Sequence, residues 1–355
     1  MNRKLVVSLT LFSIVGVQAI AQNCTQILRT ARSTYEQGRL HEIPTILEGC
    51  LKGGDFSSAQ KVEAYRILVL SYIYLEEPAK ADETMIALLN EDHFFKPSAT
   101  ADPVEFHSLW KKFRTNPVFS YGIKVGLNTN NVDVQKNYYM FGPAQGEGEY
   151  KANLGFQFGL LFEKNLNSKV ILNPELFYSG ISLIYSNNNL SSTDPFDEQN
   201  KDNMEYTLSH SRIQLNVLFQ YRFLKGKVNE TFAPYISVGP SLYYTLSSTF
   251  AGDLTLSSQT TIPSLSTKEN YRALGYGVVA SAGVKYKVGG IYLTADIRHI
   301  YGLNNIVNED NRFKRTAVNQ ALQDAGYIDN DFTLSQSMLN IGMIIPYFKP
   351  KKLIR

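Results

Sequence analysis

Phe119-Ser120-Tyr121-Gly122-Ile123-Lys124-Val125-Gly126-Leu127-Asn128 is the stretch that decides the fold. Apolar residues alternate one for one with Ser, Gly, Lys and Asn, the period of a β-strand with one greasy and one polar face. The pattern returns in Leu154, Phe156, Phe158, Leu160 and Phe162, which oppose Gly155, Gln157, Gly159 and Glu163. Further strands are predicted around 169–185, 206–223, 232–247, 271–288, 290–303 and 332–347, giving eight. Their connections alternate in length. Residues 165–168, 224–230 and 289–290 are tight turns, whereas 129–148, 186–203, 248–269 and 304–331 are long and polar, so all short turns fall on one edge. Short turns on one side, long loops on the other and an even strand count are the features of an outer-membrane barrel.

A soluble eight-stranded barrel of lipocalin type also alternates and closes on itself, with its apolar faces inward. Parity does not separate the two. Loop asymmetry, strand length and the tyrosines expected on the greasy face near strand ends (Tyr178, Tyr185, Tyr221, Tyr244, Tyr286, Tyr301 and Tyr347) favour the membrane barrel, because interfacial aromatics belong there. At the opposite parity stand Lys124, Glu163, Glu175, Arg212, Arg222, Lys285, Asp296 and Arg298, with Gln214, Asn216 and Gln220. In an eight-stranded ring, whose interior is just wide enough for side chains to fill it, these charges are expected to pair as a network in the lumen. A gated narrow channel is the competing reading.

Ahead of residue 118 the pattern changes. Apolar residues recur at three and four, predicting helices over 25–37, 40–52, 57–76, 78–90 and 103–113, with Ser57 as an N-cap and Pro78 in a first turn. Tyr35, Gly38, Ile43 and Leu47 are echoed by Tyr72, Glu76, Ala81 and Met85 at an offset of about 38, close to the ~34-residue period of tetratricopeptide repeats. The alternative is generic helix packing. At the start, Arg3 and Lys4, the apolar run 5–17 and Ala19-Ile20-Ala21 read as a signal peptide covering 1–21. The run is too short to span a bilayer. In an exported protein, Cys24 and Cys50, the two cysteines, are expected to pair, worth about 3–4 kcal/mol of loop entropy; two unpaired thiols are the alternative. The expected domains are therefore the signal peptide 1–21, a helical domain 22–117, a barrel 118–347 and a basic tail 348–355.

Composition agrees. The chain has 355 residues, 44% hydrophobic and 19% charged, which excludes a disordered protein, and its 22 Tyr and 20 Phe are a heavy aromatic load. A formal charge of +3 provides no field to recruit nucleic acid. Loss of the leader leaves 33 basic residues against 32 acidic ones.

The junction Phe113-Arg114-Thr115-Asn116-Pro117, the strand from Gly122 to Asn128 and the late strand Asp296-Ile297-Arg298-His299-Ile300-Tyr301-Gly302-Leu303, together with the leader and helical module, resemble the PorT-like outer membrane beta-barrel proteins of Bacteroidota. The resemblance implies an outer-membrane location and a link, in some members, to protein export. It supplies no catalytic or binding residue.

The expected fold class is thus α+β multidomain: tetratricopeptide-like helical hairpins followed by an eight-stranded antiparallel transmembrane β-barrel, with the helices in the periplasm and the long loops outside. A structural, assembly or secretion-associated role is expected rather than an enzyme's, with outer membrane lipid and a periplasmic protein or peptidoglycan as partners. Narrow or gated transport is the runner-up. No cofactor, metal site or catalytic residue is expected; a lipid-modifying enzyme would need His210 or His299 to converge with Ser209, Ser211 or Asp296. The tail Lys349-Pro350-Lys351-Lys352-Leu353-Ile354-Arg355 reads as a solvated end, or as a contact with acidic headgroups or the helices.

Overall fold

The computed structural model describes residues 24–53, 56–139, 148–187, 203–223, 231–255 and 259–353. The expected signal peptide and the turn at 224–230 lie outside the described residues, as does most of the loop at 186–203. The chain forms two compact units: residues 118–347, and the residues before 118 together with those from 348 onward.

In the helical unit, α1 (24–36) is followed by a 3-10 turn, Leu40–Glu42, and α2 (Ile43–Gly53), then by α3 (Ser58–Tyr74), α4 (Pro78–Glu91) and α5 (Val104–Trp110). Ser57 caps α3 in a full capping box with Gln60, and Pro78 opens α4, where its missing N–H costs nothing. A disulfide joins Cys24 to Cys50 and ties α1 to α2, with Cα atoms 5.7 Å apart. The two helix pairs repeat one turn. Arg39 N–H donates to Thr34 O and Glu77 N–H to Tyr72 O, both spanning five residues, while Gly38 and Glu76 take left-handed φ of 75° and 57°. Behind these turns Ile43, Leu47, Ala81 and Met85 are all buried.

The tail belongs to this unit and is not a free solvated end. Phe113 and Lys352 form an antiparallel bridge, Arg114 N–H donates to Lys351 O, and Leu353 N–H donates to Lys112 O. Phe348 is buried, stacked on His93 and edge-on to Phe94. Lys352 pairs with Asp82, while Lys349 and Lys351 stay exposed. An aromatic anchor and a partner for Lys352 make docking more favourable than solvation.

The second unit has ten strands: β1 (Phe119–Lys136), β2 (Glu149–Ala152), β3 (Leu154–Asn165), β4 (Val170–Asn187), β5 (Asn203–Arg222), β6 (Phe232–Thr255), β7 (Gln259–Ser266), β8 (Leu274–Val288), β9 (Ile291–Gly302) and β10 (Asp331–Tyr347). Eight of them close a ring, β1-β3-β4-β5-β6-β8-β9-β10, every neighbour antiparallel and β10 pairing back onto β1. Closure leaves no unpaired edge, as lipid requires. β2 and β7 are outgrowths that pair with the long ends of β4 and β6. The expected loops at 129–148 and 248–269 are therefore partly strand: β1 runs on to Lys136 and β6 to Thr255.

The greasy parity faces outward. Tyr121, Phe162, Tyr221, Phe223, Phe232, Tyr286 and Tyr347 are exposed near the turn edge, and Tyr244, Tyr276 and Tyr301 near the loop edge. Tyr276 and Tyr286 on β8 stand ten residues apart, about 33 Å along the strand at ~3.3 Å per residue. At the ~45° tilt of membrane strands that spans about 23 Å, matching the ~25 Å apolar band of outer-membrane barrels. Tyr185 departs from the expected girdle. It is buried on the inward face of β4, packed against Tyr150 and Tyr327.

Candidate functional site: the filled lumen

The inward face of β4 reads out the interior in order: Asn173, Glu175, Phe177, Ser179, Ile181, Leu183, Tyr185. Each step crosses a different layer. Nearest the turn edge, Lys285 Nζ on β8 lies 2.5 Å from Glu163 Oε1 on β3, and Asn173 Nδ2 donates to the same oxygen at 3.1 Å. Arg222, half-buried at the end of β5, donates to Asn165 Oδ1 at 2.9 Å.

One layer on, four charges from three strands close a square. Lys124 Nζ on β1 donates to Glu175 Oε1 at 2.9 Å and to Asp296 Oδ2 at 2.7 Å. Arg298 donates through Nη1 to Glu175 Oε2 at 2.5 Å and through Nε to Asp296 Oδ1 at 3.0 Å. Each cation touches both anions, and none of the four residues is more than 4% exposed. Tyr235 and Asn340 add donors to Asp296 at 3.2 and 2.9 Å. The sum of charges is zero and the carboxylate oxygens are hydrogen-bonded, the condition under which buried ions persist. Large side chains fit because glycines face them: a Cβ on Gly159 would sit 2.7 Å from the Phe177 ring, and one on Gly275 1.9 Å from Tyr243 Cζ.

Above the square an amide ladder continues the filling. Asn130 donates to Asn128 at 2.9 Å, Asn128 to Gln157 at 2.6 Å, and Gln157 to Asn340 at 2.7 Å. Gln336 on β10 reaches across to Ser179 Oγ at 3.0 Å. Arg212 stands apart from the other inward charges, its guanidinium 4.2 Å from the centre of the Tyr243 ring.

The loop end is closed by an apolar plug. Residues 304–330 carry two short helices, α6 (Glu309–Arg312) and α7 (Ala317–Asp324), and bring Ile306, Leu322, Ala325 and Tyr327 onto Leu183, Tyr206, Phe250 and Phe332. Tyr206 donates to Ala325 O at 2.6 Å. Asp329 accepts from Tyr271 at 2.7 Å and Tyr327 at 3.1 Å, and Arg312 pairs with Asp331. Burial pushes the Asp329 carboxyl up from its ordinary value, against these hydrogen bonds and the pull of Arg312. The segment 304–331, expected as a long polar loop, thus packs into the mouth of the ring through the apolar set Ile306, Val307, Leu322 and Tyr327, the one signal of this in its sequence.

The residues a hydrolase would need do not converge. His210 is buried inside the ring, Ser211 faces outward against Tyr178, and Asp296 is locked in the charge square. His299 lies on the outer surface, its Nδ1 3.0 Å from Ser337 Oγ. Among the described residues no cluster of His, Cys, Asp and Glu could hold a metal ion, and no helix is long and apolar enough to cross a membrane.

Residues 114–308 match the outer membrane protein beta-barrel domain family, more than half of the chain. The chain belongs to that family. Its ring is accordingly an outer-membrane β-barrel, and the outer membrane is its location. Among solved structures it is similar to the outer membrane protein OprG from Pseudomonas aeruginosa, at 12% identity over 66% of this chain and 98% of that one, with a TM-score of 0.34. Neisserial surface protein A is similar at 13% identity, 64% and 97% coverage and a TM-score of 0.30. The N-terminal β-barrel domain of Pseudomonas aeruginosa OprF is similar at 12% identity, 63% and 97% coverage and a TM-score of 0.23. No curated protein matches the chain.

Proposed function

We propose that this protein is a plugged outer-membrane barrel that anchors a periplasmic, tetratricopeptide-like helical module, and that it serves assembly or secretion rather than solute passage. The observation that carries the reading is the filled lumen: an ion pair, a charge square, an amide ladder and an apolar plug succeed one another inside the ring. With ion-paired and apolar layers across the ring, activity falls to surfaces outside it. The helical unit supplies one, a groove of about 450 Å³ lined by Tyr72, Ile73, Asp82, Val104, Leu109 and Lys112. Val104 is 75% exposed there, and mixed charge beside apolar surface suits a peptide segment of a periplasmic protein. The resemblance to PorT-like proteins of Bacteroidota supports an export-linked role, and the leader read at 1–21 supports the route to the envelope. The short turns would then face the periplasm with the helices, and the long loops the outside.

The test uses the full-length protein in cells, with photo-crosslinking residues at Tyr74 and Val104 in the helical unit and at Lys268 on the loop side. The reading predicts one specific envelope protein captured from the helical positions and not from Lys268, and a secretion or envelope defect on deletion. No adduct at either helical position, with deletion leaving secretion and envelope integrity intact, would sink it.

A further inference from the structure

Three buried cations in the lumen, Lys124, Lys285 and Arg298, are matched by three buried anions, Glu163, Glu175 and Asp296, and every member of this set is ion-paired. Arg212 is a fourth buried cation, 4% exposed, and among the described residues it has neither an ion pair nor a hydrogen bond. It faces the Tyr243 ring and stands in register with Ser179 on β4 and Thr245 on β6, both buried. Two residues away, His210 is 2% exposed, edge-on to Tyr271, with neither ring nitrogen partnered. Along the same inward face of β5, Asn216 Nδ2 and Gln220 Nε2 are buried donors without acceptors.

A lysine in this position could shed its proton, but a guanidinium stays charged, so its counter-charge has to be supplied. A quadrupolar ring face offers a cation only part of what it loses on leaving water. Arg212 Nε and both His210 ring nitrogens are buried without a partner, and Ser179, Thr245, His210 and Tyr243, its neighbours in the strand, in register or across the ring face, are each no more than 8% exposed, so only a small ion could be held there. We propose that Arg212, assisted by His210, holds a small inorganic monoanion of halide type inside the barrel, between the charge square and the apolar plug. The ion balances the charge of Arg212 and makes it the fourth satisfied cation of the fully buried set. This inference is independent of any periplasmic partner.

The probe is bromide, exchanged for chloride in crystals of the full-length chain, with the thermal midpoint measured in parallel in chloride and in gluconate, which is too large to enter, at equal ionic strength. The expected result is an anomalous peak beside the Arg212 guanidinium that is lost in Arg212→Gln, and a lower Tm in gluconate for the wild type but not for that variant. Arg212→Lys keeps a cation and is expected to keep the peak, so it decides the matter should Arg212→Gln not fold. Four outcomes would each overturn the assignment: water without anomalous signal at Arg212, a peak of full height in Arg212→Gln, a wild-type Tm indifferent to gluconate, and an adventitious ion only, appearing at crystal concentrations with no matching effect on Tm.

Discussion

Glu175 shows how little slack the lumen has. It is the acceptor common to Lys124 and Arg298, and its removal leaves two buried cations sharing Asp296. Breaking a buried pair by deleting one partner costs about 3–5 kcal/mol, because the remaining charge cannot return to water. Glu175→Gln is expected to lose that much in urea unfolding from lipid vesicles, followed by the gel shift of the folded barrel, and adding Lys124→Met should recover part of the loss by removing the surplus cation. A single variant within 0.5 kcal/mol of wild type would contradict the ion-square account. In the helical unit, Glu76 does a glycine's task at φ 57°. A side chain in that conformation costs about 1 kcal/mol, which glycine avoids. Glu76→Gly should therefore raise the thermal midpoint of the helical circular dichroism signal; a fall would show that the Glu76 side chain contributes more than its backbone costs.

At the level of elements, the ring strands were legible because each has to keep one face in lipid, which writes an alternating pattern such as Leu154 to Phe162 directly into the sequence. Cys24 and Cys50 were legible from their solitude in an exported chain. The segments that fill the mouth were not, since α7 and Tyr327 follow no repeat and their burial depends on partners more than a hundred residues away, such as Tyr206. Nor does parity reveal a partner: it placed eight charges on the inner face and could not tell that four would form a square and that Arg212 would stand outside it. Tyr185 misled for a related reason, being an aromatic near a strand end whose parity points inward. The plug has a pH signature of its own. Because burial raises Asp329 above its ordinary value of 3.8, its contribution to stability is full below that value and is lost as pH rises through the raised one. Amide-exchange protection in residues 317–330, corrected for intrinsic rates, should rise as pH falls from neutrality toward 4, and Asp329→Asn should flatten the trend. Protection that falls on acidification would contradict it.

For the whole molecule, the aromatic excess and the low charge fraction have one cause: a ring that uses lipid as its outer solvent displays Tyr and Phe where a soluble domain would display Lys and Glu. Eight strands enclose a space that side chains can largely fill, and in this chain packed layers run from Lys285 at the turn edge to Tyr327 at the loop edge; the proposed function rests on those layers blocking passage. Conductance of the purified full-length protein in a planar lipid bilayer tests this most directly. A filled lumen predicts no sustained open state at any moderate voltage in wild type; stable, reproducible single-channel steps would contradict the account and return the protein to the narrow transporters.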